Sequence, residues 1–133
     1  MRPIRKIVIL GANGAMGAGA AAIFASSGIP TTMLARTVDK AEAGRAKAEQ
    51  MAKGKVPPKS IAIGTYDNDL ARVAAESELI FECVAEDLEI KRQVFGLVDD
   101  VRAQSSIVAT VSSGLSVAAM CAGLSDDFRT HFL

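Results

Sequence analysis

Tryptophan is absent from the 133 residues, which include one tyrosine, one histidine and two cysteines. Two cysteines are too few for a disulfide framework. Cys83 lies in an apolar run and Cys121 in an alanine-rich helical pattern, and neither has the flanking residues of a redox or metal motif. Both therefore read as buried, reduced thiols, and no metal site is expected. Net charge is missing as well, because 15 basic and 15 acidic residues cancel. That balance excludes the broad electrostatic footprint of a nucleic-acid or anionic-membrane binder, so any anion recognised here must be bound locally. The basic N-terminus, with Arg2, Arg5 and Lys6, carries no small-residue cleavage site of a secretory signal, which points to a cytoplasmic location. No internal repeat or low-complexity tract divides the chain. Its length fits one domain, residues 1–133, able to bury roughly two-thirds of its unfolded surface.

One long stretch lacks charge altogether. Residues 7–35 contain no Asp, Glu, Lys or Arg and are long enough to cross a bilayer of roughly 30 Å. Five glycines, Asn13 and Pro30 interrupt the stretch, however, and its two ends are β-rich while its middle has helical spacing, so a membrane span is not the reading. Ile7-Val8-Ile9-Leu10 reads as a strand and Gly11-Ala12-Asn13-Gly14-Ala15-Met16-Gly17 as a three-glycine loop. An alanine-rich helix follows to Ser27, with Met16, Ala20, Ile23 and Phe24 on its buried face, and Thr31-Thr32-Met33-Leu34-Ala35 reads as a second strand. Together they make a β-α-β unit of roughly 30 residues, the context in which a glycine motif indicates dinucleotide binding. Glycines permit the tight turn and close approach to a pyrophosphate, and the helix that follows presents unpaired N–H groups to the anion. Gly11, Asn13, Gly14, Ala15, Met16 and Gly17 are therefore candidate cofactor contacts. The competing reading is that the glycines serve helix-strand packing alone.

Thr37 reads as the N-cap of an Ala-, Lys- and Glu-rich helix that stops at Gly54, with Val38, Ala41, Ala48 and Met51 as its thin apolar face. The Val56-Pro57-Pro58 connector leads to a short third strand over residues 60–65, and Asp67 or Asn68 caps the next helix. Leu79-Ile80-Phe81-Glu82-Cys83-Val84-Ala85 reads as a buried strand broken by one acid, Glu82, which ranks below the carboxylates that come next. Glu86 and Asp87 open a helix where acids favour the dipole, and Ile90, Val94, Leu97, Val98 and Val101 form its core stripe. Residues 107–111 form another strand, a Ser-rich turn leads to a short helix, and residues 128–133 begin one more strand. Alternating strands and helices predict an α/β fold, a Rossmann-type doubly wound parallel sheet covered on both faces. A terminal strand that stops on apolar residues implies that the chain continues.

Four segments carry a resemblance to the NAD-binding domain of the 3-hydroxyacyl-CoA dehydrogenase family. They are the loop of residues 10–19, the run Phe81-Glu82-Cys83-Val84-Ala85-Glu86-Asp87-Leu88-Glu89-Ile90-Lys91, the turn Ala109-Thr110-Val111-Ser112-Ser113-Gly114-Leu115-Ser116, and Thr130-His131-Phe132. The resemblance implies NAD as cofactor, an acyl-CoA substrate and a role in fatty acid β-oxidation. It further implies a helical domain after residue 133 that holds the acyl chain, and a homodimer made mainly through that missing part. His131 would match the general base, Ser113 the serine that hydrogen-bonds the substrate oxygen, and Val84, Ala85, Glu86 and Lys91 residues beside the cofactor. In this family a glutamate in the later segment orients the histidine, so the residues in hand are expected to be nearly inert alone.

Several residues depart from the family pattern. The loop has one residue more than Gly-x-Gly-x-x-Gly, Val111 stands where the family has asparagine, and Gly114 where it has a second serine. Ala35 occupies the place of an acid that would hydrogen-bond the adenosine ribose and repel a 2′-phosphate. Arg36 beside it is a fork of donors suited to phosphate, which by itself favours NADP. Two other functions thus stay open: an NADP-dependent small hydroxy-acid dehydrogenase of the 6-phosphogluconate dehydrogenase-like superfamily, and a non-catalytic nucleotide-binding relative. The bland readings are a solvated helix face for Lys91, a turn residue for Ser113 and a helix-start residue for Arg36.

Overall fold

The computed structural model describes residues 3–11, 14–112 and 114–133. Its central strand is β1 (Ile7–Leu10), all four residues of which are buried, as expected where both faces of a parallel strand are covered. Side-chain alternation divides the core: Ile7 and Ile9 join one apolar cluster, Val8 and Leu10 the other. The other strands are β2 (Thr31–Ala35), β3 (Ala62–Thr65), β4 (Leu79–Glu82) and β5 (Ile107–Thr110). All pairings are parallel, in the order β3-β2-β1-β4-β5. The chain winds outward from β1 to β2 and β3, then returns to place β4 on the other side of β1. Such a reversal opens a crevice at the carboxyl ends of the strands, where open α/β sheets bind their ligands.

Helices α1 (Ala15–Ser26) and α2 (Val38–Ala52) cover one face, and α3 (Tyr66–Glu76) and α4 (Leu88–Val101) the other. Two short helices follow β5, α5 (Val117–Met120) and α6 (Asp126–Thr130). Thr37 caps α2 as predicted, its side chain accepting from the Lys40 N–H. The doubly wound parallel sheet is therefore the fold. Among the described residues no helix is long and apolar enough to cross a membrane.

Several local expectations fail, for physical reasons. Helix α1 buries Gly17, Ala18, Ala21 and Ala22, while Met16 and Ile23 are 63% and 67% exposed. Its partner α2 does likewise with Ala41, Gly44, Ala48 and Ala52, leaving Val38 and Met51 outside. Small residues let the two helices and the sheet approach closely, so the stripe of larger side chains is not the packed face. Helix α3 is capped by Thr65 rather than Asp67 or Asn68, because the chain turns helical directly from β3. Asp87 caps α4, and Glu86 stands before the helix instead of in its first turn. Residues 126–130 are helical, so only the last residues are extended, Phe132 forming a parallel bridge with Val108.

Candidate functional site

The site forms where β1 ends. Gly11 has φ +87°, and a Cβ on it would lie 2.6 Å from the carbonyl carbon and oxygen of Cys83, so only glycine fits between β1 and the turn after β4. Its N–H donates to Leu34 O at 3.2 Å and to the Tyr66 hydroxyl at 2.8 Å. Ala12 and Asn13 lie outside the described residues. Gly14 is the N-cap of α1 and brings no side chain to accept from the first-turn N–H groups of Ala15, Met16 and Gly17. Every other helix here has a side-chain cap: Thr37, Thr65, Asp87, Ser116 and Ser125 each accept from the N–H three residues on. A backbone cradle that a Cβ would fill, beside an uncapped helix start, fits a pyrophosphate.

This cradle opens into a cleft of about 780 Å³. Ala35 and Arg36 line one end, Tyr66 stands beside Gly11, and Val84 and Ala85 continue the wall. Helix α4 contributes Ile90, Val94 and Leu97, three of the five residues the sequence pattern assigned to the core, while Val98 is buried and Val94 and Val101 pack against the core. The reason is that α4 has two apolar stripes. Phe95 and Val98 face the sheet, and the other stripe faces the cleft, with Leu97 54% exposed. A smaller cavity, of about 270 Å³ beside Lys6, Pro30 and Glu76, lies at the amino ends of the strands, away from the uncapped helix.

Beneath the cleft is a buried charge network. Glu82, the last residue of β4, has no solvent exposure. Its Oε2 accepts from Lys91 Nζ at 2.5 Å and from the Val84 N–H at 2.7 Å, and its Oε1 accepts from Thr110 Oγ1 at 2.5 Å. A buried carboxylate needs such donors, since an unpaired charge taken out of water costs several kcal/mol, on the order of the penalty for a buried ion. Lys91 is equally buried. It also donates to Val84 O at 3.3 Å and lies 3.6 Å from Glu86 Oε1. Glu86 remains half-exposed, and its Oε2 accepts from Ser112 Oγ at 2.9 Å and the Gly114 N–H at 3.1 Å. The loops after β4 and β5 are thus fastened to each other and to the strands below. Ser113, between those two partners of Glu86, lies outside the described residues.

The network corrects two readings. Lys91 is not a solvated residue and does not reach the cleft wall, because its ammonium is drawn inward to two carboxylates and a carbonyl. Glu82, ranked below Glu86 in the sequence, is the acid that anchors it. The signal available in the sequence was a lone acid in an otherwise apolar strand, which requires a counter-charge. Tyr66 was missed entirely. The only hint was that the chain's single tyrosine follows a β-like run, the position at which a side chain meets the carboxyl edge of the sheet. Burial raises the Tyr66 hydroxyl above its ordinary pKa, so it is a neutral hydrogen-bonding group. Burial, aided by Glu82, pushes the Cys83 thiol up to about 12, which makes it unreactive.

His131 stands apart from this group. It is the C-cap of α6, and its Nδ1 lies 2.8 Å from Asp127 O and 3.4 Å from Asp127 Oδ1. Val108 N donates to His131 O, whereas β5 runs on to Thr110, level with Glu82. The imidazole therefore starts from a point below the carboxyl edge where Glu86 and Ser112 sit. Phe132 beside it packs against Phe95 and Phe128, with ring centroids 5.2 and 5.5 Å away. Asp127 is held well charged: the Ser105 N–H and the Arg102 guanidinium lower its pKa below the usual carboxylate value. The structure brings Gly11, Gly14, Ala35, Arg36, Val84 and Ala85 to one cleft, whose lining among the described residues does not include His131.

Comparison with known proteins shows the family to which the chain belongs. A family model described as "3-hydroxyacyl-CoA dehydrogenase, NAD binding domain" matches residues 6–133. A Bacillus subtilis protein named "Probable 3-hydroxyacyl-CoA dehydrogenase" is 36% identical over 155 aligned positions, covering 98% of this chain and 19% of that protein. A Mesorhizobium japonicum protein, 5-formyl-3-hydroxy-2-methylpyridine 4-carboxylate 5-dehydrogenase, is 30% identical over 92% of this chain and 41% of its own length. Among solved structures, (S)-3-hydroxybutyryl-CoA dehydrogenase from Ralstonia eutropha superposes with a TM-score of 0.78 at 23% identity, over 98% of this chain and 48% of that one, a likeness of fold. The chain thus spans about a fifth of the first relative and less than half of the others.

Proposed function

Because this chain belongs to the 3-hydroxyacyl-CoA dehydrogenase family, as its NAD-binding domain, we propose that the full-length protein oxidises the 3-hydroxyl of an acyl-CoA in fatty acid β-oxidation. The observation that carries this reading is the Glu82-Lys91-Glu86 network at the carboxyl edge, which fastens the Ser112-Gly114 turn beside the uncapped glycine cradle. NAD supplies the hydride acceptor. The Gly11 and Gly14 backbone and the first N–H groups of α1 would hold its pyrophosphate, and Val84 and Ala85 would lie along it. Glu86 holds Ser112 and Gly114, and to Ser113, which follows Ser112 in sequence, we assign the hydrogen bond to the substrate oxygen that the family resemblance implies. In the reaction C3 gives up a hydride, the hydroxyl proton leaves to a base, and the C3–O bond becomes a carbonyl.

We assign that proton to His131, the residue the family resemblance offers, whose Nδ1 lies beside Asp127 at the end of α6. The glutamate that orients it belongs to the part of the full-length protein beyond these residues. A homodimer, a cytoplasmic location and the absence of nucleic-acid partners belong to the same proposal. So does the domain boundary, residues 1–133 forming the cofactor domain that precedes a helical one. The relative that acts on a pyridine carboxylate supports a second reading, another NAD-dependent hydroxyl or aldehyde substrate.

The full-length protein should oxidise NADH in the presence of acetoacetyl-CoA. No turnover with NADH binding intact would remove the acyl-CoA substrate while leaving the cofactor. In the same assay His131→Ala should lose most of the rate with little change in thermal stability. Unchanged turnover would remove His131 from the mechanism.

A further inference from the structure

The adenosine end of the cleft departs most from an NAD-only site. Gly11 N–H donates to Leu34 O, so the end of β2 lies directly beside the glycine cradle, where the ribose next to a bound pyrophosphate would sit. The last residue of β2 is Ala35, buried and without a carboxylate. Arg36 follows it into solvent, and Lys40, in the first turn of α2, lines the same wall. Among the described residues neither Arg36 nor Lys40 forms an ion pair. Of the acids, Asp67 lines the cleft from α3, so two cations face one carboxylate. A guanidinium with no carboxylate to hold, beside a lysine and in place of a repelling acid, is the donor set for a phosphate monoester.

We infer that this subsite accepts a 2′-phosphate, so that the domain binds NADP(H) in addition to NAD(H), with Arg36 as the specificity-determining residue. The inference rests on the dinucleotide reading of the cleft and extends it at one ribose hydroxyl. A fork of charge-assisted hydrogen bonds to the phosphate compensates for the missing ribose-binding acid. The Ala35 methyl leaves the 2′ position unobstructed.

Calorimetric titration of the full-length protein with NADH and with NADPH tests it, on the natural chain and on Arg36→Asp. NADPH should bind within about tenfold of NADH. Arg36→Asp should weaken NADPH by at least about 30-fold, through loss of the fork and gain of repulsion, and leave NADH within about threefold. A merely structural role for Arg36 would weaken both dinucleotides alike, and that result overturns the proposal. So does NADH binding with no detectable NADPH binding. Binding of neither would remove the cofactor reading itself, and is thereby told apart from a failure of the inference alone.

Discussion

At the end of β2 the cleft is made by Ala35 and by Arg36 and Lys40, whose charges stand in solvent; at the end of β4 it rests on Glu82 and Lys91, which have none. At the first end the charges touch no partner among the described residues, so exchanging them alters what binds and barely alters the fold. At the second, each charge is the counter-ion of the other and holds two loops, so exchanging one alters the fold first. Between them, the glycine cradle works through backbone alone and tolerates no side chain. The comparison teaches that cofactor choice and loop geometry are separately adjustable in this domain.

The largest effect should come from the buried end. Lys91→Ala leaves Glu82 unpaired, and urea unfolding should show a loss of about 3–5 kcal/mol. Pairing Lys91→Met with Glu82→Gln should recover most of it, because neither variant side chain carries charge. If the single and double variants unfold alike, the network does not hold this edge of the sheet. Gly11→Ala should be next, at about 2–4 kcal/mol from the left-handed φ and the clash with Cys83 backbone, together with loss of NADH binding. An alanine variant with undisturbed NADH affinity would show that the cradle is not the pyrophosphate site.

Tyr66→Phe should cost less, about 0.5–1.5 kcal/mol by the same measurement, since Gly11 N–H keeps its bond to Leu34. The smallest effect concerns Cys83. With its pKa raised to about 12 from 9.0, it carries roughly 500-fold less thiolate at pH 9 than an ordinary thiol. In a Cys121→Ser background, alkylation of the native protein at that pH should therefore be slow, speeding up in denaturant. Equal rates in both conditions would show the thiol to be exposed. For stability the sign is that of a raised acid: the unfolded chain ionises first, so this contribution is lost as pH climbs from 9 towards 12.

Much of the fold was legible because its signals are local. The β-α-β unit announces itself through an apolar run, glycines and a second apolar run, each interpretable within a few residues. The helix faces were less legible: α1 and α2 pack through glycine and alanine, which carry little hydrophobic signal, while Met16, Ile23, Val38 and Met51 carry much and face outward. On α4 the sequence shows one apolar pattern where the structure has two stripes with different duties. Of the cleft lining, Gly11, Gly14, Ala35, Arg36, Val84 and Ala85 were legible, since chain order alone puts them at or just after the ends of β1, β2 and β4. The level of His131 was not legible, because it is set by the register of a single bridge, Val108 with Phe132.

The sequence by itself determined the order of strands and helices from β1 to α5, the parallel sheet that follows from it, and the glycine loop, because hydrophobic periodicity and glycine conformation act over short distances along the chain. Only the tertiary structure decided that Lys91 is buried against Glu82, that Tyr66 receives the Gly11 N–H from 55 residues away, and that the His131 carbonyl accepts from the Val108 N–H. Those outcomes depend on which strands become neighbours and at what level. A charge or a hydroxyl meets its partner there through the packing of distant segments, and no local pattern encodes that meeting.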